Sequence, residues 1–236
     1  MRKAIYPGIL LLMMVCQLSH AQSSRAVFDY SNAQQFMNDA NGRPLYIHTE
    51  YEVEGTPFFS DDYCTANLKV RKGKTYANIK VKLNLQENLV IYDAGDGKEM
   101  AATSPIEKIE FMHCNDPAKN KTLLSGFPAI DGQNESSFYL LLDSGQTTLL
   151  KYIKVNSHDT KYYNNPNTTR VFEQKELYYT YVPGKGISKL NRDTDAVLSL
   201  FGNKNAAVGS FIAKNDLKCR REEDLVKVFS YYNSLN

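Results

Sequence analysis

The chain has 236 residues, 42% of them hydrophobic and 23% charged, with 28 Lys and Arg against 26 Asp and Glu. That length suits one domain of ordinary size or two small ones. The near balance of charge gives no electrostatic case for nucleic acid or an anionic membrane as a partner. Tyr is abundant at 16 and Trp is absent, and a Tyr- and Phe-rich chain leans towards strands.

In chain order, the first 21 residues read as a secretory signal peptide. Arg2 and Lys3 give a positive start, an apolar run follows from Ile9 to Val15, and Ser19 and Ala21 are small residues at the two positions a signal peptidase reads. Cleavage is expected before Gln22. The apolar run is shorter than the ~20 residues a bilayer span needs, and no later segment is a candidate. Removing Arg2 and Lys3 takes the basic count from 28 to 26, so the mature chain is formally neutral. Lipidation at Cys16 is the competing reading, but Val15 stands where a small residue is expected. The expected location is outside the cytoplasm: periplasm, cell surface or extracellular space. Cys64, Cys114 and Cys219 remain, an odd count that allows one internal bridge and one leftover thiol.

Residues 31–39 are a short helix candidate, with Ser31 and Gln34 at capping-box spacing. Residues 45–53 read as a strand ended by Gly55 and Pro57. The clearest hairpin follows. Ala66, Leu68 and Val70, then Ala77, Ile79, Val81, Leu83 and Leu85, alternate with polar residues around Lys72-Gly73, as strands with one buried face do. Further strands at 89–92, 99–102 and 106–112 extend residues 44–112 into a first antiparallel meander. Residues 115–133, broken by Pro117, Gly126, Pro128 and Gly132, read as an internal boundary. A second strand set occupies 134–188: 138–142, 147–155 and 171–182. Apolar residues on both faces of the middle strand suggest a central position. Helices are expected across 193–235. Asp193 caps the first, which stops at Gly202. Another spans 205–213. The last opens on Glu222, Glu223 and Asp224, acids suited to a helix N-terminus, and carries Leu225, Val228, Phe229, Tyr232 and Leu235 at helical spacing.

No motif for catalysis or a cofactor stands out, and no cofactor or metal is expected. Asp93, Asp96 and Glu99 flank glycines as in a calcium loop, but the spacing fits an Asp-Gly hairpin turn better. His113 and Cys114, with Asp116, are the residue types of a thiol nucleophile and its base. Neighbours on a strand point to opposite faces, so a structural disulfide between Cys64 and Cys114 is the favoured reading. His48, His113 and His158 lack zinc-site spacing. The 183–188 segment lacks the spacing of a phosphate loop. Asp61-Asp62 reads as a solvated pair, as do Lys214, Lys218, Arg220 and Arg221 beside their acidic neighbours. Asn120, Asn134 and Asn167 match the sugar-acceptor pattern, which matters only in a eukaryotic secretory route. Tyr178, Tyr179, Tyr181 and Tyr231 are the candidates for a surface that stacks on a glycan or a protein.

Glu54-Gly-Thr-Pro-Phe58, Leu68-x-Val70-x-x-Gly73-x-x-Tyr76, Phe138-Tyr-Leu-Leu-Leu142-x-x-Gly145 with Leu149-Leu-Lys151, and the terminal Tyr231-Tyr-Asn-Ser-Leu235 occur in that order. In these the chain resembles small secreted proteins of Bacteroidota-type bacteria whose function is unknown. The resemblance implies a bacterial periplasmic or cell-surface setting, which sets the sugar-acceptor sites aside, and carries no activity or ligand.

The expectation is a mainly β protein, an antiparallel meander, roll or sandwich with a C-terminal helical segment. It is expected to be an exported, non-enzymatic binding or envelope-associated module whose partner, a protein or a glycan, the residues do not name. The alternative is an extracytoplasmic hydrolase or thiol enzyme whose His, Cys and Asp residues are assembled by the fold. Nothing in the residues indicates an oligomeric state.

Overall fold

The computed structural model describes residues 43–44, 52–95, 97–112, 114, 120–163 and 167–235. The expected signal peptide, the 31–39 helix, His48, Asp96, His113 and Asp116 lie outside them. Strand makes up 44% of the described residues and helix 18%, the mainly β fold with C-terminal helices that the periodicity predicts. The strands are β1 (Arg43–Pro44), β2 (Glu52–Glu54), β3 (Cys64–Val70), β4 (Thr75–Asn84), β5 (Leu89–Asp93), β6 (Glu99–Ala101), β7 (Ile106–Phe111), β8 (Lys121–Leu124), β9 (Tyr139–Asp143), β10 (Thr148–Thr160), β11 (Thr169–Val182) and β12 (Gly186–Lys189). They form one sheet in the order β1-β6-β5-β4-β3-β7-β8-β9-β10-β11-β12. Every pair in that path is antiparallel, whereas β2 lies parallel to the start of β11.

The expected break at 115–133 is not a break in the sheet. β8 lies inside it and pairs with β7 on one side and β9 on the other. Four residues with two adjacent leucines carry no period-two signal, and the flanking Pro and Gly hide them.

Alternation along each strand sorts the core into layers. One face carries Leu68, Ile79, Leu83, Ile109, Phe111, Leu123, Leu140 and Val155, a single cluster that spans both strand sets. Farther along the sheet this face receives the helices α1 (Thr194–Ser199), α2 (Asn205–Lys214) and α3 (Glu222–Ser234) over Leu149, Tyr178 and Leu190. The reverse face of the second half holds Phe127, Tyr139, Leu150, Tyr152 and Tyr179. Apolar residues on both faces of β10 are explained by cover on both faces, helices on one and the Tyr139 cluster on the other; the strand stands third from the β12 edge and not at the centre of the sheet.

The first half of the sheet is tightly curled. Four residues, 102–105, carry the chain from β6 to β7, from beside β5, where the Ala102 N–H donates to the Val90 carbonyl, to the end of β3, where the Arg71 N–H donates to the Pro105 carbonyl. So short a link brings non-adjacent strands together and leaves a cleft beside it. The segment before β3 straps the other end. The Phe59 N–H donates to Leu83, the Leu85 N–H donates to Pro57, and Gln174 donates to the carbonyls of Thr56 and Phe58. Gly55, at φ +73°, lies so close to the Phe172 carbonyl that a Cβ there would collide with it.

Two motifs quoted above meet at the far end of α3. The Asn233 amide donates to Asp143 (2.6 Å) and to the Thr147 carbonyl (2.9 Å), and its oxygen accepts the Thr147 N–H (3.1 Å). Asn233 thus completes the β9–β10 turn as a strand neighbour would. A Cβ on Gly145 would run into that amide, which is why the turn needs glycine there. Asn233→Ala leaves buried turn groups unpaired and should cost about 1–3 kcal/mol. Thermal melts measure this, and Gly145→Ala should lower the melt in the same direction.

Candidate functional site

The four candidate tyrosines do not share a surface. Adjacent residues of one strand face opposite ways, so Tyr178 points under the helices and Tyr179 into the reverse-face cluster, and both are buried. Tyr181 lies edge-on to Phe127 at 5.1 Å, and Tyr231 stacks on Phe211 at 4.0 Å in the helical layer. The Tyr179 hydroxyl donates to Asp131 (3.0 Å), which also pairs with Lys189 (3.2 Å). Hydrogen bonds from Lys189 and Tyr179 hold the Asp131 carboxyl below the usual range. Among the described residues the strongly exposed tyrosines are Tyr162 and Tyr163, beyond the end of β10.

Tyr178 belongs to an ionic cluster between sheet and helices. Lys151 is its cross-strand neighbour. The Lys151 ammonium lies 2.9 Å from Glu176 and 2.7 Å from Glu222, and the Tyr178 hydroxyl is 2.9 Å and 2.6 Å from the same two carboxylates. The Arg192 guanidinium covers the Tyr178 ring at 4.1 Å. Burial, then its hydrogen bonds to Glu222 and Glu176, push the Tyr178 phenol far above the ordinary tyrosine value. Two cations face two carboxylates, so the cluster is charge-matched. It fastens the start of α3 to the sheet.

The cluster gives the fold an acid-labile joint. Burial alone would raise the Glu176 carboxyl, but hydrogen bonds from Lys151 and Tyr178 outweigh it and hold the group below its ordinary 4.5. A depressed carboxyl stabilises the fold above its unfolded value, and that contribution is lost as pH falls through the folded one. The melting temperature should therefore begin to drop below about pH 4.5, and the drop should be shallower in Glu176→Gln. Asp143, which burial raises, contributes in the opposite sense in both proteins and leaves the comparison intact.

The cleft beside residues 102–105 is the best candidate for ligand binding. Its volume is about 150 Å³. Val90, Ile106 and Phe138 form a buried apolar floor with Ser125, whereas Thr103, Pro105 and Ser136 form an exposed rim. Asn88, Arg71 and Ser104 complete the wall. Each comes from a different turn: Arg71 after β3, Asn88 before β5, Ser104 between β6 and β7, Ser125 and Ser136 between β8 and β9. Ser125 is fixed by donating its hydroxyl to the Ile106 carbonyl (2.5 Å). Arg71 is fixed by Glu135, to whose carboxylate Nη1 donates (3.0 Å) and to whose carbonyl Nη2 donates (2.9 Å). Sequence reasoning had no handle on this site. Ser, Thr, Asn and Gly in turns are ordinary turn chemistry, and a fold-built cleft leaves no fixed spacing.

The remaining candidates settle into structural roles. Cys114 is bonded to Cys64, so no free thiol stands at 114, while Cys219 is free and buried. Asp93 accepts the Gly95 N–H (2.9 Å), a local turn contact, and residues 183–185 turn β11 into β12. Arg221 pairs with Asp224 at 2.9 Å, and the Arg220 carbonyl accepts from Arg192. Among the described residues no group of three or more His, Cys, Asp or Glu side chains could hold a metal ion. No helix among them is long and apolar enough to cross a membrane. Comparison with protein-family models, with characterised proteins and with solved structures gives no match.

Proposed function

We propose that this chain is a non-enzymatic binding protein of a bacterial cell envelope, working outside the cytoplasm and taking a small ligand in the cleft under Arg71. The cleft carries the reading. It is concave, has an apolar floor and a few convergent polar groups, and opens where several turns meet, the usual make-up of a small-molecule site. Export is supported by the signal-peptide layout of residues 1–21 and by the disulfide, since such bridges persist in oxidising compartments.

The test is a thermal-shift panel on the mature chain: neutral hexoses, uronic acids, small dicarboxylates and inorganic phosphate. At least one probe should raise the melting temperature saturably. Ser104→Phe, which fills the cleft from its wall, should abolish that shift while keeping its own cooperative melt. A panel that moves nothing would remove the cleft as a binding site. The intact mass of the exported protein should correspond to a chain beginning at Gln22; a retained leader or a lipid on Cys16 would contradict the export route.

A further inference from the structure

Resting on that reading of the cleft, we infer that its ligand is a single sugar ring bearing one oxyanion group, and that Glu135 is a resident carboxylate which the ligand's anion displaces from Arg71. The charge of the site points this way. Arg71 is the one charged residue in the lining, and no acidic side chain lines the cleft. The Glu135 carboxylate engages that guanidinium from beside the cleft, so an anionic group of a ligand can exchange with it at the same cation.

Arg71 is equipped for the exchange. A guanidinium has five N–H donors, and the bonds the Arg71 guanidinium makes among the described residues both go to Glu135. Donors therefore remain for a second, forked contact of the kind arginine makes with carboxylates and other oxyanions. The side chain of Glu135 is 69% exposed and that of Arg71 is 29% exposed. An ion pair this wet is weak and readily screened, so its carboxylate can be replaced at small cost. The Glu135 oxygen 3.0 Å from Nη1 marks where a ligand oxygen would sit. Gly126, at φ +93°, makes room for the guanidinium: a Cβ there would come within 3.3 Å of Nη2.

Size and lining select the rest of the ligand. A cavity of about 150 Å³ is the size known to admit one benzene ring, so this open cleft seats one six-membered ring only with its substituents lying out over the rim. A pyranose has C–H faces and hydroxyl edges. The floor of Phe138, Val90 and Ile106 suits the first, and the hydroxyls of Ser104 and Ser136 suit the second.

Titration calorimetry at low salt tests this on the mature chain with D-glucuronate, D-galacturonate, glucose 6-sulfate, D-glucose and D-galactose. The anionic sugars should bind at least about tenfold more tightly than the neutral ones, the effect of one charge-assisted contact. Arg71→Gln should erase that preference. Glu135→Gln, at an exposed position that leaves the fold intact, should tighten the anionic sugars several-fold and leave the neutral ones unchanged. Tighter uronates would identify a carboxylate ligand, and a tighter sulfate a tetrahedral one; either supports the inference. Equal binding of neutral and anionic sugars, insensitive to both variants, would overturn it while leaving the cleft a binding site. Binding of dicarboxylates or phosphate alone would overturn the sugar and keep the site. Silence across the whole probe panel would overturn both.

Discussion

Phe229→Ala should lower stability by about 3–5 kcal/mol, the usual cost of truncating a fully buried aromatic residue. Phe229 has no exposed surface and meets Phe201 edge-on at 5.3 Å. Leu149, Val197, Val208, Leu225 and Val228 share its cluster, so the cavity would open between sheet and helices where several elements are held in place. A helix as short as α3 is marginal in water by itself, and its attachment depends on this stripe. In a chain of this size each kcal/mol moves the melting temperature by roughly 2–4 °C, so the expected drop is roughly 6–20 °C. Leu200→Ala is the control. Leu200 is 42% exposed, and its loss should stay within about 0.5 kcal/mol. If the Phe229→Ala melt matched the wild type, the stripe would be a docking surface for another molecule and not core.

That stripe was legible because it repeats at helical spacing over a full helix length. The same holds for β3, β4 and β10, where Ala66-Leu68, Ile79-Val81-Leu83 and Leu149-Leu150 announce one-sided or two-sided burial. Asp193 was legible as a cap by chemistry alone, and its side chain accepts the Ala196 N–H at 2.8 Å. Legibility ends where contacts are long-range. Nothing local says that β8 joins two strand sets. Nothing local says that Lys151 will sit across from Tyr178 between two carboxylates, because that depends on the β10–β11 register and on where α3 lands. The tyrosines misled for a related reason. Their number suggested a stacking surface, but period-two alternation sends Tyr178 and Tyr179 into different clusters. The cleft was invisible for the most basic reason: its polar groups lie in separate turns, and only the curl of the sheet brings Arg71 next to Ser104 and Ser136.

Opening the Cys64–Cys114 bridge should cost about 4 kcal/mol in the chain-entropy account, given its separation of 50 residues. The position of the bridge argues that the effect lies mainly in the unfolded chain. The two cysteines stand just past the end of the β3–β7 ladder, where Ala66 pairs with Phe111 and the Met112 N–H donates to the Thr65 carbonyl. That ladder already holds them close in the folded state, with Cα atoms 5.5 Å apart. The bridge therefore adds little to native strand pairing, although Cys114 is a buried member of the core on that face and Cys64 packs against it. It removes the freedom of a long loop whose closure is among the less local steps in building the first half of the sheet. A Cys64→Ala/Cys114→Ala double variant should melt roughly 8–16 °C lower and keep the wild-type near-ultraviolet circular dichroism below its transition. Reduction of the wild type should give the same shift, with alkylation mapping to Cys64 and Cys114. Buried Cys219 should react only once the chain unfolds. If reduction labelled both cysteines and left the melt in place, loop entropy would not be what the bridge contributes. If the double variant instead lost its near-ultraviolet signal at low temperature, the bridge would be holding the β3–β7 ladder together in the folded state.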